Sequence, residues 1–143
     1  MRASIHSNRH LLSKDNPILI VDDDVRFGKH LVSYFKRRGL YARTVSRPDV
    51  ARRLIAAMKP TVTIIAYSEQ VENLCASIRR SGNPTEIILT CGHHSGKTEL
   101  KARRLSPAFF FVKPFNEDDL FAVVLRILEM QSQKCISFAN SCK

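Results

Sequence analysis

Carboxylates, hydroxyls, a thiol and an ammonium stand at the ends of apolar runs. Asp22 and Asp23 follow the run at 17–21. Tyr67 and Ser68 follow the run at 61–66, Thr90 and Cys91 close the run at 86–90, and Lys113 follows the run at 108–112. Adjacent carboxylates supply hard oxygen ligands for a divalent cation. A lysine beside a hydroxyl can contact an anionic oxygen. If the four runs are neighbouring parallel strands, these residues converge on one edge of a sheet, where open α/β sheets bind ligands.

The elements that would position them follow from the apolar spacing. PILIV (17–21) is continuous, as a strand buried on both faces requires. Val25, Phe27, Leu31, Val32 and Phe35 recur at helical spacing, up to cations and Gly39, a good helix stop. LYARTV (40–45) alternates like a strand. Ser46 is expected to N-cap the next helix with Pro48 in its first turn. Val50, Leu54, Ile55 and Met58 share one face of that helix, Arg52 and Arg53 lie outside it, and Pro60 ends it. Strands are predicted over 61–67, 86–90 and 108–112, and helices over 71–80 and 95–105, the latter polar and basic. Asn116 caps a final helix, with Glu117, Asp118 and Asp119 in its first turn, running to about Met130.

Five strands alternating with five helices predict an α/β fold: a single doubly wound domain, its parallel sheet covered on both faces. The expected organisation is a basic tail over 1–16, the domain over 17–130 and a C-terminal tail over 131–143. The 143 residues and 44% apolar content suit one packed domain. No apolar run approaches the ~20 residues of a membrane span. The N-terminus lacks the apolar core of a secretory signal. Cys75, Cys91, Cys135 and Cys142 have no metal-type spacing, and reduced thiols fit a cytoplasmic location. The net charge of +10 favours acidic partners.

In this order and spacing, ILIVDDD, EIILT and FFFVKPF resemble the receiver domain of bacterial two-component response regulators, over about residues 17–130. The resemblance implies a five-stranded flavodoxin-like sheet in the order 2-1-3-4-5. It makes Asp22 and Asp23 the acid pair that holds Mg²⁺ in active receivers, and Thr90 and Lys113 the phosphoryl contacts. Phe110 takes the switch aromatic position, and Pro114 follows a lysine in a bond that is usually cis in the family. The departure lies on the third strand: KPTVTIIAYSEQ places Ala66 where the family carries its phosphorylatable aspartate. The loop that follows is also shortened. Alanine has no nucleophile and cannot form an acyl phosphate. With Ala66 the pocket sums to −1 from Asp22, Asp23 and Lys113, so a weak Mg²⁺ site is the most that is expected. Lys113 can then neutralise one carboxylate itself. Asp24 is read as a helix-start residue and not a ligand.

Other motifs carry less. CGHHSGKT (91–98) is one residue short of a phosphate-binding G-x-x-x-x-G-K-[ST] loop. His93 and His94 lack a third ligand at useful spacing. Phe109, Phe110 and Phe111 read as a buried strand, not a stacking platform. Lys97, Lys101, Arg103 and Arg104 make the fourth helix basic. By the resemblance, that face would meet an acidic protein surface, whether of a histidine kinase, a response regulator or an effector, or a second copy as a homodimer.

The leading expectation is a pseudo-receiver: not an enzyme, but a binding module acting by protein–protein interaction. A functional receiver with a displaced acceptor, for which the nearby Ser68 is weighed as a surrogate, is the second reading. A nucleic-acid-binding accessory, motivated by charge, is the third; it lacks any helix-turn-helix or RNA-binding signature. No membrane contact is expected.

Overall fold

Strands without polar alternation must be covered on both faces, and all four residues of the first strand are buried. The computed structural model of the chain describes residues 18–92 and 96–141. Strands β1 (Ile18–Val21), β2 (Ala42–Val45), β3 (Val62–Ala66), β4 (Glu86–Cys91) and β5 (Phe109–Val112) alternate with five helices. These are α1 (Val25–Arg37), α2 (Pro48–Met58), α3 (Glu69–Arg80), α4 (Gly96–Arg103) and α5 (Glu117–Ser141). The sheet is parallel throughout, in the predicted order β2-β1-β3-β4-β5. Each helix starts where a strand ends and runs back along the sheet. Helix N-termini therefore gather at the strand C-terminal ends, and helix C-termini gather at the opposite end.

Alternate residues of the strands feed two cores. On one side Ile18, Ile20, Val62, Ile64, Ile88 and Phe111 meet Leu31, Tyr34 and Phe35 of α1 and Leu120, Val124 and Leu128 of α5. On the other, Leu19, Val21, Ile65, Ile87 and Leu89 meet Ala51 and Ile55 of α2, Val71, Leu74, Cys75 and Ile78 of α3, and Ala102 of α4. Burial pushes the Cys75 thiol up to about 11, so it packs as an inert apolar group. Asp24 N-caps α1, its carboxylate accepting from the Phe27 N–H at 3.1 Å. Asn116 does the same for α5, accepting from the Asp118 N–H at 2.8 Å. Gly39, at φ 83°, turns the chain from α1 into β2, a backbone conformation that glycine adopts freely.

The structure corrects four local expectations. Ser46 does not cap α2. Pro48 takes the first helical position and moves the cap to Arg47, whose guanidinium bonds Asp49 at 2.9 Å. Helix α3 begins at Glu69, before the expected residue 71. Helix α5 continues past Met130 to Ser141, because the sequence beyond Pro114 contains no glycine or proline to stop it. Strand β5 is not buried throughout: it is an edge strand, and Phe109 is 47% exposed. The tail expected over 1–16, His93, His94 and the side chains of Cys135 and Cys142 lie outside the described residues. No helix among the described residues is long and apolar enough to cross a membrane.

Candidate functional site

The strand ends converge as the sequence required. Asp22 leaves β1, Ala66 ends β3, Thr90 lies beside it on β4, paired in register, and Lys113 leaves β5. Asp22 is 3% exposed. Its Oδ2 accepts from Lys113 Nζ at 2.8 Å, and its Oδ1 accepts from the Asp24 N–H at 2.9 Å. Both oxygens of the buried carboxylate are thus occupied by donors of the chain itself. The ammonium also sits 3.9 Å from the centroid of the Phe27 ring, an attractive cation–π position. Phe27 packs edge-on against Phe115, which in turn meets Phe111. The Lys113–Pro114 bond is cis.

Asp23 points to solvent, and Ala66 is half-buried. A cavity of about 80 Å³ remains at the tip of β3, walled by Asp22, Asp23, Ala66, Tyr67 and Ser68 among others. Thr90 Oγ1 is buried and has no hydrogen-bond partner among the described residues. Its strand is tied to the next turn by the Tyr67 N–H, which donates to the Thr90 carbonyl at 2.7 Å. The loop after β3 is only Tyr67 and Ser68, since α3 starts at Glu69 with Ser68 as its cap residue. The Tyr67 hydroxyl donates to Glu72 Oε1 at 2.5 Å. Burial, followed by this contact, pushes the phenol well above its ordinary range. Glu72 is therefore committed to Tyr67, and Glu69 faces Lys101 at 3.6 Å. Neither supplies a third carboxylate to the site.

These donors do not fit a magnesium ion. Mg²⁺ prefers octahedral oxygen ligation anchored by carboxylates. Here one carboxylate is bonded to an ammonium, and Ala66 offers no oxygen. Among the described residues, no group of three or more His, Cys, Asp or Glu is placed to hold a metal.

Phe110, the expected switch aromatic, is half-buried in the α2–α4 core beneath Arg103, whose guanidinium carbon lies 5.5 Å from its ring centroid. Lys97, Lys101, Arg103 and Arg104 are all exposed on or beside α4. Arg103 is paired with Glu99 at 2.9 Å, and Lys101 with Glu69, which leaves Lys97 and Arg104 without an ion pair among the described residues.

Sequence reasoning missed Phe27 and Glu72. Nothing local marks either one: Phe27 is one of several apolar residues on α1, and Glu72 is one of two acids in the first turn of α3.

No protein-family model matches the chain. It is 28% identical over 122 residues to the regulatory protein AtoC of Escherichia coli, covering 83% of this chain and 26% of that protein. It is 29% identical over 117 residues to the nitrogen assimilation regulatory protein NtrX of Azorhizobium caulinodans, covering 78% of this chain and 26% of that protein. The chain thus spans about a quarter of the length of these curated relatives. In structure it superposes on the receiver domain of a Francisella response regulator with a TM-score of 0.73 at 18% identity, covering 81% of this chain and 98% of that one. Its fold is that of a response-regulator receiver domain, with the flavodoxin-like strand order.

Proposed function

We propose that this receiver-fold chain is a signalling module of a two-component system that works through protein contacts, with no phosphoryl group on β3. One observation carries the reading. At the tip of β3 a methyl group, Ala66, stands beside a closed Asp22–Lys113 pair, where chemistry would need a nucleophile and an open carboxylate. The lysine that would meet an incoming phosphoryl oxygen is held instead by the buried acid. Thr90 retains a buried hydroxyl with no partner among the described residues, as a pocket built for an anion and then closed would leave it. The exposed cations of α4, Lys97 and Arg104 above all, favour an acidic protein surface as partner, on a histidine kinase, a response regulator or an effector.

The test is intact mass after incubation with acetyl phosphate and Mg²⁺. The expected result is an unchanged mass. A stable adduct of one phosphoryl group on Ser68 or any other residue overturns the reading. Ala66→Asp sharpens it: restoring the carboxylate is expected to produce measurable Mg²⁺ binding by calorimetry where the parent shows none.

A further inference from the structure

Among the described residues four large apolar side chains stay exposed, and two of them stand together: Phe109 is 47% exposed and Met130 50%. Both line one groove of about 470 Å³, bounded by the starts of β4 and β5 and by helix α5. Val123 and Ile127 of α5 add to its apolar lining. The groove is rigidly framed. Phe109 stacks on Phe111 with ring centroids 5.0 Å apart, and α5 is held to the sheet by the buried Val124 and Leu128. An exposed aromatic ring on a fixed frame loses little freedom on binding, which suits it as an anchor.

Charge decides what such a groove fits. Glu86, at the start of β4, and Arg126, on α5, also line it. Neither makes an ion pair among the described residues. An acidic partner would answer Arg126 but set like charge against Glu86, and a basic partner would do the reverse. A second copy of the chain answers both. Across a two-fold axis the same patch meets itself, so Glu86 of each copy faces Arg126 of the other. The net charge of +10 opposes self-association at long range. The two charges in the groove sum to zero, and at about 0.15 M salt repulsion beyond about 8 Å is largely screened.

We infer that this groove docks a second copy of the chain, giving a two-fold dimer with Phe109 as its anchor and two Glu86–Arg126 pairs across the axis. The contact uses none of the four basic positions on or beside α4, so it stands apart from the acidic-partner contact proposed above. The mass test of the β3 site reads nothing of it, and either idea can fail alone. A standard interface takes about 20–30 residues from each partner. Nine residues line the groove. The dimer is therefore expected to be weak, with a Kd of roughly 10–100 μM.

Sedimentation velocity of the full chain tests this, over about 1–300 μM protein at about 0.15 M salt, a range that brackets the expected Kd. The parent is expected to pass from monomer to mostly dimer. Phe109→Ser is expected to weaken the dimer about tenfold or more. Leu100→Ser removes the exposed apolar side chain of α4 and is expected to dimerise like the parent. E86R alone and R126E alone are expected to stay monomeric, since each sets like charges across the axis. An equimolar mixture of the two is expected to dimerise, because every pair across the axis is then of opposite sign. Circular dichroism confirms the fold of each variant. A parent that stays monomeric throughout overturns the proposal. So do equal losses in Phe109→Ser and Leu100→Ser, charge variants that dimerise alone as the parent does, or a mixture that remains monomeric.

Discussion

The two faces of the sheet are held by different means. On one face, α1 and α5 bring large side chains: Leu31, Tyr34, Phe35, Leu120, Val124 and Leu128 are buried, and Phe27, Phe115 and Phe121 close the seam with ring contacts. On the other face α2 and α3 are well anchored, but α4 contributes one buried residue, Ala102, while its Leu100 is 62% exposed. An alanine buries little apolar area, so α4 draws little stability from packing. The α1–α5 face is the rigid one, and it also holds the ring beneath Lys113. The lysine is thus positioned by the stable face, whereas the cations of α4 ride on an element that can open locally at low cost.

The comparison breaks most directly at Phe35. Phe35→Ala is expected to cost roughly 3–5 kcal/mol, read as a lowered urea midpoint. A loss below about 1 kcal/mol would deny this face its anchoring role. Next is the strut between the strand ends. Lys113→Met leaves the buried Asp22 carboxylate without its counter-ion, and is expected to cost about 1–3 kcal/mol, because the lysine is itself partly exposed. Adding Asp22→Asn is expected to recover part of that loss in thermal melts, and purely additive costs would show that the two groups are not coupled.

A third test uses pH. Burial, and then the hydrogen bond to Asp118, push the Tyr34 phenol up to about 12 from an ordinary 10. A group with a raised folded pKa gives stability that is complete below the unfolded value and is lost as pH rises through the folded one. The parent is therefore expected to lose stability between about pH 10 and pH 12 that Tyr34→Phe does not lose. The smallest effect is expected on the loosely held helix: Leu100→Ala should change stability by less than about 0.5 kcal/mol. A larger cost would mean that α4 is packed more firmly than Ala102 alone allows.

The ten elements were legible because most strands are apolar runs and most helices carry apolar spacing, whereas the sheet order came from the family resemblance of the motifs. PILIV and EIILT admit few other readings. The end of α5 was not legible: the apolar pattern fades after Met130, whereas the helix continues for want of a breaker. The exposure of Phe109 was not legible either, since an edge strand and a central strand can share one composition. At the site, Asp22, Ala66, Thr90 and Lys113 were found through the order of motifs. Their mutual bonds were not, because the pair joins residues 91 positions apart and the Tyr34–Asp118 contact joins residues 84 apart. Contacts at such separation follow from topology and leave no local trace in the chain.

The Asp22–Lys113 contact also sets a schedule for biosynthesis. The carboxylate leaves the ribosome first, and the ammonium that neutralises it follows 91 residues later. At translation speeds of about 5–20 residues per second, the acid waits roughly 5–18 s for its partner. Until then, β1 can pair with β2 and β3 only by burying an uncompensated charge or by leaving its end open to water. Completion of this domain is thereby deferred until the last strand has been made, and a nascent chain stalled before Lys113 is expected to remain sensitive to protease at the tip of the first strand.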